Sequence, residues 1–519
     1  MLTRLAWIAA LFTTFVWAVP SRADWHMASS DHFVVYADDS EKDIRRFAEM
    51  LESYHEAIAY VIQRKVEKPS PSNRVTIFAV GSIRDLKALA GGNNKFIAGF
   101  YVPRAGGSRA FIPDIRMKGG ELDFSATVLL HEYAHHYLIS TSRFAMPRWL
   151  SEGAAEFFAS AQFMKDGTVS IGRPAVHRAG ELAFSDKVTI EELLDQGLYE
   201  KRKSKRHDSF YGRSWTLYHY LVFSEERKGQ LSDYWFKVAQ GIPSLEAARQ
   251  AFGDLAILDK EMNRYLKSRS MYSYRVGPDL ISPSPVTVST LSAGEAAIMP
   301  IVIQSQRGVT REEAEALVVE ARDIADQYPQ NAAVLAALAE AEHDAGNYPA
   351  VIAAADRALA IDPASKNAYI QKGYALFKLA GDAEDRNDAV LDAVAPFTQL
   401  NRLEPDHPLP LWYYYRSFVD RGVEPPETAR HALERAAQIA PFDQSLWMSV
   451  GYMQASEGKI ANAVNSLSSV ANNPHGGGLA RQAHAYITAL ENAPEGQPFR
   501  LEKVVVPAAA ESDEESQAL

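Results

Sequence analysis

Apolar and polar positions follow three different rhythms along this 519-residue chain. The first is an unbroken apolar run, Leu5 to Val19, behind the basic Arg4 and ahead of the small-residue segment Ser21-Arg22-Ala23. That order predicts a secretory signal peptide over residues 1–23, removed after Ala23. The run is short for a membrane span, and an uncleaved anchor is the alternative reading. The second rhythm mixes strand and helix periods. His32–Tyr36 reads as a strand, Glu41–Arg64 has helical spacing, Val75–Val80 predicts a second strand and Ile83–Leu89 a short helix. Phe96–Val102 and Arg109–Ile112 predict two more strands joined by a turn at Gly106-Gly107. Ser125–Ile139 is a mostly apolar helix, and residues 157–275 are largely helical, with breaks at Gly167, Gly172-Arg173-Pro174, Gly229 and Gly241-Ile242-Pro243.

The third rhythm is a repeat. Residues 281–300 lie in a stretch rich in Ser, Pro and Gly and read as a linker. Beyond it, Pro329, Pro363, Pro405, Pro441 and Pro474 close helical pairs at spacings of 34, 42, 36 and 33 residues. In Asn331–Pro363, small Ala residues sit where helices must approach, Gly346-Asn347-Tyr348 makes the turn and Asp362-Pro363 closes the unit. This unit resembles a tetratricopeptide repeat. Gly373-Tyr374 opens another copy, and Gly451–Ala463 repeats the logic. Residues 301–492 therefore predict four or five helical pairs stacked as an all-α solenoid, with a concave face suited to an extended peptide or a protein partner. A generic Ala-rich helical domain is the alternative. Residues 493–519, Ala-rich and then acidic, predict a disordered tail.

Candidate chemistry concentrates in the second stretch. His131-Glu132-Tyr133-Ala134-His135 is an H-E-x-x-H motif, and on a helix the two histidines share one face and can aim two imidazole nitrogens at one ion. Glu152, in Trp149-Leu150-Ser151-Glu152-Gly153, offers a third ligand. Two His and one Glu leave a fourth position open, as a catalytic zinc site requires. Zinc acidifies its water, and Glu132 is placed to take the proton as general base and pass it to a leaving amine. A buried His pair satisfied by hydrogen bonds is the competing reading. Glu156, one turn beyond Glu152, is the candidate carboxylate to orient a ligating histidine; a helix-surface role is its alternative. His136 is turned away from its neighbour and reads as a packing or hydrogen-bonding residue.

HEYAH followed by WLSEGAAEFF resembles the gluzincin metallopeptidases, the thermolysin and aminopeptidase N group, and most of all exported peptidase MA-like proteins. The resemblance covers roughly residues 30–280 and implies an α+β fold, a zincin-like metallopeptidase domain over residues 24–280 with a small mixed sheet and active-site helices. It implies Zn2+ held by His131, His135 and Glu152, and a peptide or protein substrate. It also implies an oxyanion donor from a Tyr or His downstream. Tyr211 is the first choice, His207 and His219 follow, and a purely packed aromatic helix is the alternative. In gluzincins an edge strand beside the zinc pairs with extended substrate, and Ala110–Pro113 is the candidate edge. No segment like the G-A-M-E-N strand of the aminopeptidases precedes His131, which favours an endopeptidase.

Composition removes other classes. With no cysteine there are no disulfides, no thiolate metal site and no lipid-modified cysteine. The formal charge of −11, without a sustained basic face, argues against nucleic acid. The basic run Lys201–His207 could face an acidic substrate or simply be a solvated loop. No second long apolar run exists, so no stable membrane span is expected, and the compartment is periplasmic or secreted. Three functions remain: an exported zinc peptidase whose repeats recruit substrate or partner, a non-catalytic repeat scaffold carrying a zincin fold, and a zinc hydrolase acting on something other than a peptide.

Overall fold

The computed structural model describes residues 25–91, 97–116, 122–142, 144–202, 208–473 and 476–504. The expected signal peptide, Phe96, His207 and residues 505–519 lie outside the described residues. β1 (Trp25–Ser29) and β2 (Phe33–Asp38) are antiparallel neighbours. α1 (Glu41–Ile62) starts at Ser40, whose hydroxyl accepts the Asp43 N–H, and buries Ile44, Phe47, Leu51, Tyr54 and Ile58 in the core below the sheet. β3 (Val75–Ala79) runs parallel to β2 and is followed by α2 (Ile83–Leu89). β4 (Phe100–Val102) and β5 (Arg109–Ile112) form an antiparallel hairpin, with β5 parallel to β3.

This arrangement corrects the expected edge. β5, which holds most of Ala110–Pro113, lies inside the sheet between β3 and β4, and β4 is the edge on that side. The fully buried Phe111 ring explains it: it stacks between Phe78 at 5.4 Å and Phe100 at 4.7 Å, so strands cover both its flanks. The strand expected from Phe96 begins only at Phe100. β1 is hard to read in the sequence because it directly follows the expected cleavage site and its five residues alternate weakly.

After the sheet come α3 (Phe124–Thr141) and α4 (Arg148–Ala159). A second sheet, antiparallel and three-stranded, joins β6 (Gln162–Phe163), β7 (Val169–Ile171) and β8 (Tyr274–Val276). Between β7 and β8 the chain is helical: α5 (Ala179–Phe184), α6 (Ile190–Leu194), α7 (Gln196–Glu200), α8 (Phe210–Phe223), α9 (Gln230–Ala239), α10 (Ser244–Phe252) and α11 (Leu255–Tyr265).

The expected linker is a second correction. Residues 281–300 contain β9 (Thr287–Thr290), which pairs with β1, and the first half of α12 (Ala293–Arg307). A reciprocal cap between Ser292 and Glu295 starts this helix. Its Met299 and Ile303 pack with Leu86, Phe78 and Phe111 on the sheet face opposite α1. The Ser, Pro and Gly of this stretch serve the turns around β9, and the segment completes the sheet and covers it.

α12 also opens the helical repeats. It pairs with α13 (Arg311–Gln327), and four further pairs follow: α14 (Ala332–Asp344) with α15 (Tyr348–Ile361), α16 (Lys366–Gly381) with α17 (Arg386–Leu403), α18 (Pro408–Asp420) with α19 (Glu427–Ile439), and α20 (Gln444–Ser456) with α21 (Ile460–Ala471). α22 (Gly478–Leu490) closes the stack. The tail expected from residue 493 packs as far as Val504. Leu501 is buried against the last pair, and the Phe499 N–H bonds the Ala455 carbonyl at 2.8 Å. Two apolar side chains with a seat on the repeat outweigh the polar composition around them. Among the described residues no helix is long and apolar enough to cross a membrane.

Because α12 belongs to both halves, truncating its sheet-facing side chain tests their coupling. Ile303→Ala is expected to cost roughly 2–4 kcal/mol, as cavities left by Ile or Leu do. Chemical denaturation should show unfolding of sheet and repeats shifted together.

Candidate metal centre

α3 is apolar on nearly every side. Leu129, Leu130, Tyr133, Ala134, Tyr137 and Leu138 are all buried, and Asp123 caps the helix by accepting the Ala126 N–H at 2.8 Å. A helix packed all round has little freedom to rotate, so the directions of its few polar side chains are fixed. α4 crosses it, with every residue from Trp149 to Ala159 buried and Trp149 Nε1 donating to the Tyr234 hydroxyl at 2.8 Å.

The crossing brings three donor atoms into a nearly equilateral triangle. His131 Nε2 lies 3.1 Å from His135 Nε2, His131 Nε2 lies 3.2 Å from Glu152 Oε2, and His135 Nε2 lies 3.3 Å from Glu152 Oε2. Ligands about 2.0–2.1 Å from a tetrahedral zinc are about 3.3 Å from one another. The triangle therefore fits three corners of such a site. Glu152 Oε1 is buried without a hydrogen-bond partner among the described residues, which also suits a carboxylate whose partner is an ion.

The other nitrogen of each imidazole faces a side-chain oxygen. His135 Nδ1 is 3.1 Å from Ser151 Oγ, and His131 Nδ1 is 3.1 Å from Glu156 Oε1. Glu156 is itself gripped by Arg178, whose Nε donates to Oε1 at 3.0 Å, and by His177, whose Nε2 is 2.6 Å from Oε2. Burial alone would raise both carboxyls, but His135 and His131 beside Glu152, and Arg178 and His131 beside Glu156, hold each well below the usual carboxylate range. Burial likewise works against the charged imidazole of His131, yet Glu152 and Glu156 push it up to about 10.

Glu132 is buried and lines a small pocket with His131, Glu156, His177, Arg178, Phe124, Thr127 and Val128. Tyr211, from the first turn of α8, comes to the same place. Its ring centroid is 6.4 Å from that of His131, and the Arg178 guanidinium lies over it at 4.6 Å. Burial, and Glu152 next, raise its hydroxyl above the ordinary value, so it stays protonated. His219 is elsewhere: it is fully buried, bonded to the Tyr265 hydroxyl at 2.7 Å and the Gly172 carbonyl at 2.8 Å. His136 leaves the metal face, meets the Tyr101 hydroxyl at 2.6 Å through Nδ1, and burial lowers it to about 3.

Sequence reasoning missed Ser151, His177 and Arg178. Ser151 stands next to Glu152, and its role was legible only as the neighbour of a ligand. His177 and Arg178 follow a Gly-Arg-Pro break, and nothing in their local pattern announces a return to α4.

A family model described as "Protein of unknown function (DUF1570)" matches residues 125–244, a span that includes His131, Glu132, His135, Glu152, Glu156 and Tyr211. No curated protein matches the chain. Among solved structures, TTC0263, a thermophilic TPR protein of Thermus thermophilus, is 16% identical over 35% of this chain and 92% of its own, with a TM-score of 0.31. MamA is 16% identical over 35% of this chain and 95% of its own, with a TM-score of 0.27.

The glycine of the WLSEG segment has a steric reason. A Cβ on Gly153 would stand 2.4 Å from the Ser214 carbonyl oxygen, where α8 crosses α4. Gly153→Ala must push α8 outward and carry Tyr211 with it. A loss of about 1–3 kcal/mol in thermal or denaturant stability is expected, the usual cost of overpacking.

Proposed function

We propose that the chain is an exported zinc-dependent metallopeptidase of gluzincin type, cutting within polypeptides in the periplasm or outside the cell. The observation that carries this reading is the donor triangle of His131, His135 and Glu152, with Glu132 in the adjoining pocket. A bound zinc ion would supply Lewis acidity, polarising a carbonyl and acidifying water. Glu132 removes a proton from the attacking water at a carboxylate oxygen and returns it to the departing amine. Tyr211 offers its hydroxyl hydrogen to the oxyanion that develops on the carbonyl. Ser151 and Glu156 fix the two imidazole planes, and Arg178 neutralises Glu156 while roofing Tyr211. A bare scaffold would have no use for a base beside three convergent donors.

Three measurements test this. Glu132→Gln should retain zinc by elemental analysis and lose at least about a hundredfold in turnover of a mixed peptide library. Zinc without turnover by the wild type would instead leave the scaffold or the non-peptide hydrolase. Ser151→Ala and Glu156→Ala should each weaken zinc affinity by about 10–100-fold, as loss of a partner to a ligating histidine does. Finally, burial opposes charge on His131, but Glu152 and Glu156 favour its protonated form. Zinc must displace that proton at neutral pH, so affinity should rise with pH across pH 6–8 with about one proton released per ion, read by calorimetry in buffers of different ionisation enthalpy.

A further inference from the structure

Beyond the cover that α12 lays on the sheet, the repeat array touches the metallopeptidase half at the turn of the β4–β5 hairpin and the segment beside it. The Ala105 N–H donates to Asp443 Oδ2 at 2.8 Å, at the start of α20. Glu404, at the end of α17, accepts both the Ser72 N–H and the Ser72 hydroxyl at 2.9 Å, while Lys366 of α16 holds its Oε2 at 2.6 Å. Asn73 bridges the two sides: its Nδ2 donates to the Ile439 carbonyl at 2.6 Å, and its Oδ1 accepts the Gly106 N–H at 3.3 Å. Half-buried Arg109, on β5, donates to Gln306 of α12 at 2.5 Å; Gln306 donates in turn to Glu340 of α14, which accepts from Asn367 of α16 at 3.1 Å. A Cβ on Gly106, whose φ is +78°, would meet His407 and Leu409 at 3.0 and 3.2 Å. Every helix pair of the array thus supplies an atom to the grip, chiefly from its first helix or the turn leading into it.

What the grip holds is the hairpin whose edge strand packs on α3, the helix that carries His131 and His135. β4 has no strand on its outer side among the described residues, so its backbone is a template for an extended chain. Tyr101, in the middle of β4, bonds His136, the residue after the ligand His135. Phe442, just before α20, closes on the same His136 ring at 4.4 Å. Three residues make a short strand, and a strand this short has little stability of its own.

We propose that the helical repeats act inward, as a clamp that fixes the β4 edge strand for substrate pairing, with Asp443, Glu404 and Gln306 as positioning residues. This rests on the peptidase reading only for its substrate, because the clamp itself is a matter of strand order.

The test uses the full-length protein and two variants. Asp443→Asn keeps a side-chain oxygen to cap α20 but removes the carboxylate that receives Ala105. Glu404→Ala releases Ser72. Hydrogen–deuterium exchange of amides 97–105 should speed up about tenfold or more in each, while amides of α3 stay protected and zinc content is unchanged. With peptide substrates, KM should rise several-fold while kcat stays within about twofold. A Gly106→Ala variant, acting from the hairpin side, should reproduce both effects if one of the first two fails to fold. Unchanged exchange at 97–105 overturns the clamp, and faster exchange with an unchanged KM overturns its role in holding substrate. If the wild type turns over no peptide, the peptidase reading falls, and the exchange measurement still decides the clamp.

Discussion

Two imidazoles and two carboxylates lie buried side by side, and the surrounding helices are arranged around that fact. Glu152 is 0% exposed and Glu156 1%, and an unpaired carboxylate at such depth would be costly. Neither is unpaired. Glu152 faces His131 and His135, and Glu156 faces His131, His177 and Arg178. The charges are tolerated only while these distances hold, so α3, α4 and the Val176–Arg178 turn are bound to one another by the site they build.

Much of this was legible in the sequence because it is local. The i, i+4 spacing of His131 and His135 becomes a shared helix face whatever the surrounding fold, and Glu156 follows Glu152 by the same rule. The helices Glu41–Ile62 and Ile83–Leu89 and the strands at Val75 and Arg109 follow from period and capping alone. What remained hidden depends on partners distant in sequence. Nothing near Ala110 tells that Phe111 is sandwiched by two other strands. The turn-rich stretch after Gly277 looks like a spacer until β1 is present to receive β9. His177 and Arg178 become meaningful only once a buried carboxylate stands beside them. His219 carries no local mark of being a core residue bonded to Tyr265 and Gly172 rather than a donor at the site.

The two halves are less separate than their sequence styles. α12 is at once the lid on one sheet face and the first helix of the repeats, and Phe442 of the array rests on α3, the helix that bears His131 and His135. Helix pairs stacked in a row are usually stable through their neighbours alone, each burying its face on the next. Here the row also leans on a sheet. A shift in the stack therefore has a short physical path, through Phe442, His136 and Tyr101, to β4 and α3.

The pairing of β1 with β9 has a consequence for biosynthesis. The Thr287 hydroxyl meets the Ser29 carbonyl across 258 residues of sequence. The first strand made must wait for nearly the last of its domain, and the sheet's outer layer, α12, emerges later still. During synthesis the half-built sheet shows Phe78 and Phe111 to its surroundings, with β1 unpaired along one side. Contacts this remote in sequence slow folding and leave sticky intermediates.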